Sequence, residues 1–383
     1  MLLADPAVVS VAEDRVVPLA ACTPSDPYFD HASPDSAQWS LHGNPAGPDL
    51  GALDAWNVTT GAPGAILAIL DSGTDWHHPE FGPPLSPEGR IWFNPEEVNG
   101  TPGVDDDDNG FIDDVRGWDF VDVSTIPGEV NRVDPAEDGL VPDNDPVDYD
   151  GHGTFVSGIA GAAMDDGVGM AGVAPGVPIM PLRVGWREDY VTEGGRRVVG
   201  GVVSMSFCAQ AIVYAADNGA RVLNCSWLSV QTPEIEAALN YAIGVKGVVV
   251  VDAAGNGGLI ETQSQNYLSR RGDCIEVAAL AKSGELSGVT SIGSWVDISA
   301  PGENLLSLVK TGASRLYRIN ETGATSFAAP FVSATAALVR SVAPGMTPAE
   351  VRMVLMANVT DIYGIGVNSF YAGKLGAGLV NAG

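Results

Sequence analysis

The sequence is poor in basic residues: its 383 residues include 19 Lys and Arg against 48 Asp and Glu, which gives a formal net charge of −29 at pH 7. So much negative charge repels a phosphate backbone, which argues against nucleic acid and anionic membranes as partners. The sequence also lacks any run of about 18 consecutive apolar residues, the length that a transmembrane helix requires. Insertion into a membrane is therefore not expected.

Cysteine is equally scarce. The four cysteines, Cys22, Cys208, Cys225 and Cys274, are too few and too scattered for a disulfide scaffold, and no pair has the CxxC spacing of a metal site. One disulfide and four buried thiols are both compatible with this pattern.

A signal peptide is lacking as well, because the start at Met1 has neither a basic nor an apolar segment. The protein is therefore cytoplasmic, or its natural N-terminus lies upstream of Met1.

Glycine and proline are abundant, with 47 and 26 residues, beside 45% hydrophobic residues. This composition is typical of a globular protein with many tight loops. From residue 62 onward, apolar runs typical of strands alternate with helical runs, which indicates a parallel sheet with crossover helices. The strands are predicted at residues 64–70, 178–184, 221–226, 248–253, 275–280 and 296–299. We expect one α/β domain.

Helix signals lie between most of these strands. One helix is predicted over residues 202–218, ended by Gly219, and another opens at Thr232, which is followed by proline and glutamate. Residues 347–350, with the sequence Thr-Pro-Ala-Glu, form a capping box that opens the last helix.

Three short motifs fall at the ends of predicted strands or the starts of helices, where a parallel sheet places its active site. They are Asp71-Ser72-Gly73, Gly151-His152-Gly153-Thr154, and the segment from Gly323 to Pro330 that contains Ser326. Taken singly, each has an ordinary explanation: an acid after a strand, a histidine at a helix start, a serine N-cap. Together they supply the acid, base and nucleophile of an activated serine, in the chain order Asp, His, Ser.

With these motifs in this order, residues 21–383 resemble the subtilisin-like serine peptidases (subtilases), nearest to their thermitase-like bacterial branch. The resemblance implies a three-layer α/β/α subtilisin-like fold with a central, mostly parallel sheet. It also implies that Asp71 is the catalytic aspartate, His152 the general base and Ser326 the nucleophile. Asn256, after a predicted strand, matches the oxyanion donor of the family, although an asparagine after glycine in a turn is ordinarily a residue with positive φ.

The same resemblance predicts the substrate-binding residues. Ser226, Trp227 and Leu228 match the edge segment that pairs with an extended substrate and walls the pocket for the side chain before the scissile bond, and Gly255 matches the opposite wall. Leu228 stands where the family usually has glycine, so we expect a narrower pocket. Phe155 stands where many relatives have a second histidine, and we expect it to alter packing without abolishing activity.

Residues 82–150 are rich in Pro, Gly and Asp and have little periodicity, so we predict long ordered loops there. Sixteen of the acidic residues lie between residues 101 and 150. Within this stretch, the pattern D-x-D-x-N-G of a calcium loop starts at Asp105, but Arg116 stands where the loop's final glutamate would be. We predict Ca²⁺ here, against the alternative of a solvated acidic turn. The expected ligands are Asp105, Asp107, Asn109, the carbonyl of Phe111, and Asp113 or Asp114.

A second calcium site follows from the resemblance alone. Thermitase-like enzymes bind calcium through an N-terminal aspartate, an acid after the first catalytic motif and the loop after the histidine helix. The matching residues are Asp26, Glu80 and Asp166, with the backbone carbonyls of Ala163, Val168 and Met170. Glu80 replaces the usual aspartate, which lengthens one arm of the site.

Residues 5–14 resemble the last strand of the inhibitory propeptide that precedes many subtilases. Residues 1–20 are therefore expected to be the end of such a propeptide, or else an N-terminal tail, before a peptidase domain over residues 21–383. The expected protein is a secreted, calcium-stabilised serine endopeptidase, a monomer whose partners are peptide or protein substrates and its own propeptide. A maturation or macrocyclising peptidase of the same fold is an alternative, favoured by Leu228 and by an insertion at residues 186–200. A non-catalytic binding module is a third, against which the complete triad argues.

Overall fold

The computed structural model describes residues 23–29, 38–44, 46–86, 88–258, 260, 266–312 and 316–383. The predictions for residues 1–20 and for Cys22 lie outside these ranges. Cys208, Cys225 and Cys274 are buried free thiols, so no two of these three cysteines form a disulfide.

A nine-stranded sheet forms the centre of the molecule. Its strands are β1 Leu67–Asp71, β2 Trp118–Asp119, β3 Ile179–Arg183, β6 Val222–Cys225, β7 Val249–Ala253, β8 Ile275–Leu280, β9 Ile298–Pro301, β12 Val359–Thr360 and β13 Leu379–Val380. They lie in the order β12-β13-β9-β8-β7-β6-β1-β3-β2, and all neighbouring strands run parallel except β12 and β13. Every residue of β1, β3 and β6 to β9 is buried, which is why most residues of these strands are apolar. The six predicted strands are confirmed.

Helices cover both faces of the sheet. They are α1 Ala52–Trp56, α2 Pro95–Val98, α3 His152–Gly161, α4 Met205–Asp217, α5 Pro233–Leu239, α6 Thr325–Val342 and α7 Pro348–Ala357. On one face, Val156 of α3, Phe331 of α6 and Leu355 of α7 belong to one buried hydrophobic cluster. On the other face, Ile212 of α4 and Leu239 of α5 belong to a second cluster. The predicted three-layer α/β/α fold is confirmed.

The sequence signals for helix ends are mostly correct. The capping box of α7 forms in full, because Thr347 and Glu350 each bond the other's backbone N–H. Thr232 caps α5 through its side chain, and Gly219 follows α4 with φ +80°.

The start of α4 was predicted wrongly. The helix begins at Met205, and residues 197–203 instead form β5 (Arg197–Val203), which pairs antiparallel with β4 (Gly185–Val191) in a hairpin. The β-branched residues of β5 favour a strand, whereas the apolar run alone fits either structure. A second small sheet joins β10 (Leu305–Leu308) to β11 (Tyr317–Asn320).

Residues 82–150 consist mainly of loops and short 3₁₀ turns, as predicted, apart from α2 and β2. A buried ion-pair network holds them to the sheet: the fully buried Arg183 of β3 binds the carboxylates of Asp119 and Glu137. Burial of a charge is costly unless it is paired, so this network fixes the loop in one place.

The order of strands changes direction at β1, which lies between β3 and β6. In open parallel sheets the crevice beyond the strand ends at such a point is the usual place for a binding site. Among the described residues, none of the helices combines the length and apolar character needed to cross a bilayer.

Candidate active site

Asp71 and His152 meet where β1 ends and α3 begins. Asp71 is the last residue of β1, and His152 is the first of α3. Nδ1 of His152 lies 2.7 Å from Oδ1 of Asp71, within hydrogen-bond distance. The approach requires glycine at position 153, because a Cβ there would overlap the carbonyl oxygen of Gly73.

The electrostatics around His152 favour its charged form. Burial lowers the pKa of the imidazole, but the negative charges of Asp71, Asp150 and Asp148 and the hydrogen bond to Asp71 outweigh burial and raise the pKa of His152 to about 9. The ring also packs against Phe327, with ring centroids 5.4 Å apart.

Ser326 is the second residue of α6 and is 9% exposed. It lines a cleft of about 440 Å³ together with Asp71 and His152, so the structure brings the three predicted catalytic residues together. Ser226 fixes the start of α6, because its hydroxyl donates to the carbonyl oxygen of Ser326 over 2.8 Å.

Asn256 follows β7 and stands beside the start of α6. Its Oδ1 accepts hydrogen bonds from the backbone N–H of Thr325 at 2.8 Å and from the hydroxyl of Thr325 at 3.0 Å. Since the carbonyl end of the amide faces Thr325, the NH₂ end is the donor available to another acceptor. Asn256 is thus tied to the residue that precedes Ser326.

The predicted substrate-binding residues divide into two groups. Ser226, Trp227 and Leu228 line the cleft, and the Trp227 indole N–H donates to the carbonyl oxygen of Leu70. Leu228 is 61% exposed. Gly255 is not among the residues that line the cleft, but a Cβ placed on it would lie 3.3 Å from Cδ2 of Leu228.

Sequence reasoning missed the wall provided by the β4–β5 hairpin. Gly185, Gly201, Val202 and Val203 line the cleft with Ser226, Trp227 and Leu228. The four valines of β5 were the available signal, but residues 186–200 read as an insertion and residues from 202 onward as a helix. Phe155 is fully buried and packs against Phe327, with ring centroids 4.5 Å apart.

Two of the residues proposed for the thermitase-like calcium site, Asp26 and Glu80, are buried close to the loop after α3. Asp26 and Glu80 are both buried, and Oδ2 of Asp26 accepts from the N–H of Asp165 while Oε1 of Glu80 accepts from the N–H of Met170. Oδ1 of Asp26 and Oε2 of Glu80 are buried and make no well-aligned hydrogen bond among the described residues. The hydroxyl of Tyr317 also lies beside Glu80 and helps to stabilise its carboxylate. Burial, together with the charges of Asp166 and Asp26, raises the pKa of Glu80 to about 8.

The loop after α3 encloses this place. Asp166 is exposed, and its Oδ1 accepts a hydrogen bond from the N–H of Val168. At the start of the loop, the N–H of Ala163 donates to the carbonyl oxygen of Glu80 over 2.8 Å. Two buried carboxylate oxygens without well-aligned hydrogen bonds suit a hard cation, because calcium takes oxygen ligands and a buried anion without a partner is costly.

The acidic loop assembles a different donor set from the one that its motif suggests. Carboxylate oxygens of Glu97, Asp107 and Asp114 all lie within 4.8 Å of one another. Asp114 is fully buried, and burial together with the charge of Asp107 raises its pKa to about 6. Glu97, on α2, was not predicted.

Asp105 and Asp113 are outside this group of three. Oδ2 of Asp105 accepts from the N–H of Gly110, and Oδ2 of Asp113 accepts from the N–H of Gly103. Asn109 lies within the group, because its Nδ2 donates to Asp107 and Asp114, and the N–H of Phe111 donates to Oδ1 of Asn109.

Comparison with known proteins agrees with this geometry. The model of the subtilase family matches residues 62–373. The chain is 31% identical over 362 residues to the thermophilic serine proteinase of Bacillus sp. (strain AK1), covering 94% of this chain and 69% of that protein. It is 30% identical over 346 residues to thermitase of Thermoactinomyces vulgaris, covering 90% of this chain and 94% of that protein.

Among solved structures, a protease of Pseudoalteromonas arctica matches with a TM-score of 0.65 at 24% identity, covering 94% of this chain and 97% of that one. This likeness shows the same fold. The resemblance seen in the sequence is thereby confirmed, and the chain belongs to the subtilase family and is a serine endopeptidase.

Proposed function

We propose that the chain hydrolyses peptide bonds through a catalytic triad of Asp71, His152 and Ser326. The observation that carries this proposal is the 2.7 Å contact between Asp71 and His152 at the edge of a cleft that Ser326 also lines. Asp71 would hold the imidazole in the tautomer with its proton on Nδ1 and stabilise the imidazolium that forms.

The reaction would proceed through an acyl-enzyme. His152 takes the hydroxyl proton of Ser326 as Ser326 Oγ attacks the peptide carbonyl carbon, and then gives that proton to the amine that leaves. Water, deprotonated by His152, attacks the ester in the second step, and the proton returns to Ser326 as the acid is released. The amide NH₂ of Asn256 and the backbone N–H of Ser326 would stabilise the oxyanion, with help from the positive end of α6.

The walls of the cleft suit an extended peptide. Residues 226–228 and the end of β5 line the same space. An extended peptide between them would form main-chain hydrogen bonds with one or both segments. Leu228 narrows the pocket that Gly255 would otherwise leave open, so we propose that small side chains are preferred before the scissile bond.

Calcium is proposed as the cofactor at both acidic places. Asp26 and Glu80, with Asp166 and the carbonyls of Ala163, Val168 and Met170, would hold one ion. Glu97, Asp107 and Asp114, with the carbonyl of Phe111, would hold the other. Asn109 would join them through its carbonyl oxygen after its amide turns, because its NH₂ group now faces Asp107 and Asp114. A bound ion would cancel the mutual repulsion of these carboxylates and cross-link the loops that carry them.

We also propose that the enzyme is secreted, as a monomer with residues 21–383 as its peptidase domain, and that residues 1–20 end an inhibitory propeptide. Millimolar calcium outside cells would keep both proposed sites filled even at modest affinity. The second candidate function, a peptidase that matures one particular peptide, is favoured by the hairpin and by Leu228, which both restrict the cleft.

Labelling with a fluorophosphonate tests the proposal. We expect the unsubstituted chain to label and the Ser326→Ala variant not to, and we expect the labelled enzyme to cleave casein. Failure of the unsubstituted chain to label would remove the catalytic claim. Labelling without cleavage of casein would favour the maturation peptidase.

A further inference from the structure

The loop that leads into α3 contains a buried carboxylate that the proposed mechanism does not use. Asp148 is 4% exposed and accepts five hydrogen bonds. Its Oδ1 accepts from the hydroxyl of Ser72 at 2.9 Å and from the N–H groups of Asp150 and Gly151 at 3.0 and 2.8 Å. Its Oδ2 accepts from the N–H and the hydroxyl of Thr154, at 2.9 and 2.6 Å. We call these groups the Asp148 network.

Every hydrogen bond to Asp148 comes from a group that is able to donate, three backbone N–H groups and two hydroxyls. The Ser72 hydroxyl accepts from the N–H of Gly153, and the Thr154 hydroxyl accepts from the N–H of Asp75, so the proton of each hydroxyl is free to point at Asp148. A carboxyl group that only accepts is an ionised one. Burial raises the pKa of Asp148, and the donors around it act in the opposite direction by stabilising the carboxylate.

The network joins the two chain segments that carry the catalytic pair. Ser72 directly follows Asp71, whereas Gly151 and Thr154 lie on either side of His152. Donors from both segments therefore converge on one buried anion, and a shift of either segment would break bonds to it. We propose that Asp148 is a positioning residue, which fixes Asp71 and His152 relative to each other. This inference depends on the catalytic roles proposed above.

A purely structural role makes a different prediction. If Asp148 only stabilises the loop, its loss reduces the folded fraction but leaves each folded molecule at full rate. If it positions His152, each folded molecule becomes slower, because a misplacement of about 1 Å costs about 100-fold in rate. Counting active sites separates the two roles.

The main test is Asp148→Asn, which preserves size but replaces one acceptor oxygen by an NH₂ group that faces at least two donors. Active sites are titrated with a fluorophosphonate, and kcat per titrated site is measured on the plateau of the pH profile. We expect kcat to fall by about 10- to 100-fold with KM changed less than about threefold.

Asp150→Asn is the matched comparison. It removes the same charge from the same loop, but its carboxylate accepts one bond from the N–H of His152 and lies 3.7 Å from Arg187. We expect kcat of Asp148→Asn to be at least about tenfold below that of Asp150→Asn. Equal losses in the two variants would assign the effect to charge and overturn the positioning role.

The positioning role would also be overturned if Asp148→Asn lowered Tm but kept its plateau kcat per titrated site within about twofold of that of the unsubstituted enzyme. If Asp148→Asn does not fold, variants of Thr154 provide the test. We expect Thr154→Val to lower kcat and Thr154→Ser, which keeps the hydroxyl, to retain most of it. Equal kcat in the two variants would contradict the proposal. Failure of the unsubstituted chain to label at Ser326 is a different result, because it removes the proposed function itself.

Discussion

The side chain of Leu228 reaches Gly255, so that its Cδ2 lies 3.3 Å from the place that a Cβ on Gly255 would take. Leu228 is nevertheless 61% exposed, because it projects from the segment after β6 into the open cleft. A solvent-facing leucine at this point costs little stability to remove, and in the proposed substrate pocket it would take the space of a substrate side chain.

Leu228→Gly should therefore widen the pocket. We expect kcat/KM for peptides with phenylalanine or leucine before the scissile bond to rise by about tenfold or more, since filling an apolar pocket is worth about 1–3 kcal/mol. Peptides with alanine at the same position are the control and should change little. An unchanged ratio of phenylalanine to alanine cleavage would show that Leu228 does not limit the pocket.

The pH dependence of activity should be displaced to alkaline pH. His152 accepts a proton only when it is neutral, so the rate rises with pH through its pKa, which the surrounding carboxylates raise to about 9. We expect the rising limb of kcat/KM to have a midpoint well above 6.5. Asp150→Asn should lower that midpoint, because it removes one of the charges responsible; a midpoint at or below 6.5 in the unsubstituted enzyme would contradict this picture.

The sheet, and the meeting of Asp71, His152 and Ser326 at one cleft, were predictable because their signals are contiguous in the sequence. Asp71 follows its strand directly, and His152 and Ser326 open helices in motifs of four to eight residues. Apolar runs buried on both faces gave the parallel strands within a few residues.

Groups that depend on contacts between distant segments could not be predicted. Glu97 reaches Asp107 and Asp114 only because α2 and the acidic loop fold against each other. In the sequence, Asp148 is one more acid in an acidic stretch, and only the fold brings to it the donors Ser72, directly after β1, and Thr154 of α3. The end of β5 was misassigned because a short apolar run has no period that separates strand from helix.

Glu97 offers a test of the acidic loop. Its carboxylate accepts from the N–H groups of Asp106, Asp107 and Asp113 and belongs to the group of three acids, whereas the neighbouring Glu96 is exposed. We expect Glu97→Gln to weaken calcium binding by about tenfold or more, measured by titration calorimetry, because a charged ligand is lost. Glu96→Gln is the matched control. Equal affinity in both variants would place the ion elsewhere.

The raised pKa of Glu80 predicts how calcium and pH together affect the stability of the protein. In calcium-free protein the pKa of Glu80 is raised to about 8, so the folded state favours the protonated carboxyl. This preference adds its full contribution to the free energy of unfolding below the ordinary pKa of glutamate. The contribution is lost as pH rises through about 8. Calcium binds the ionised form and acts in the opposite direction, adding about 2.7 kcal/mol at a concentration 100 times its Kd. We therefore expect the loss of Tm caused by EDTA to grow between pH 6 and pH 9.

The Glu80→Gln variant should show a smaller effect of EDTA and a flatter dependence of the calcium-free Tm on pH, because an amide neither ionises nor binds calcium well. Glu88→Gln, an exposed acid in the same loop region, is the charge-matched control and should behave like the unsubstituted protein. Melting curves at pH 6, 7.5 and 9, with and without calcium, measure both effects. If Glu80→Gln retained the full response to EDTA at pH 9, Glu80 would not be a calcium ligand, and its buried oxygen without a well-aligned hydrogen bond would need another partner.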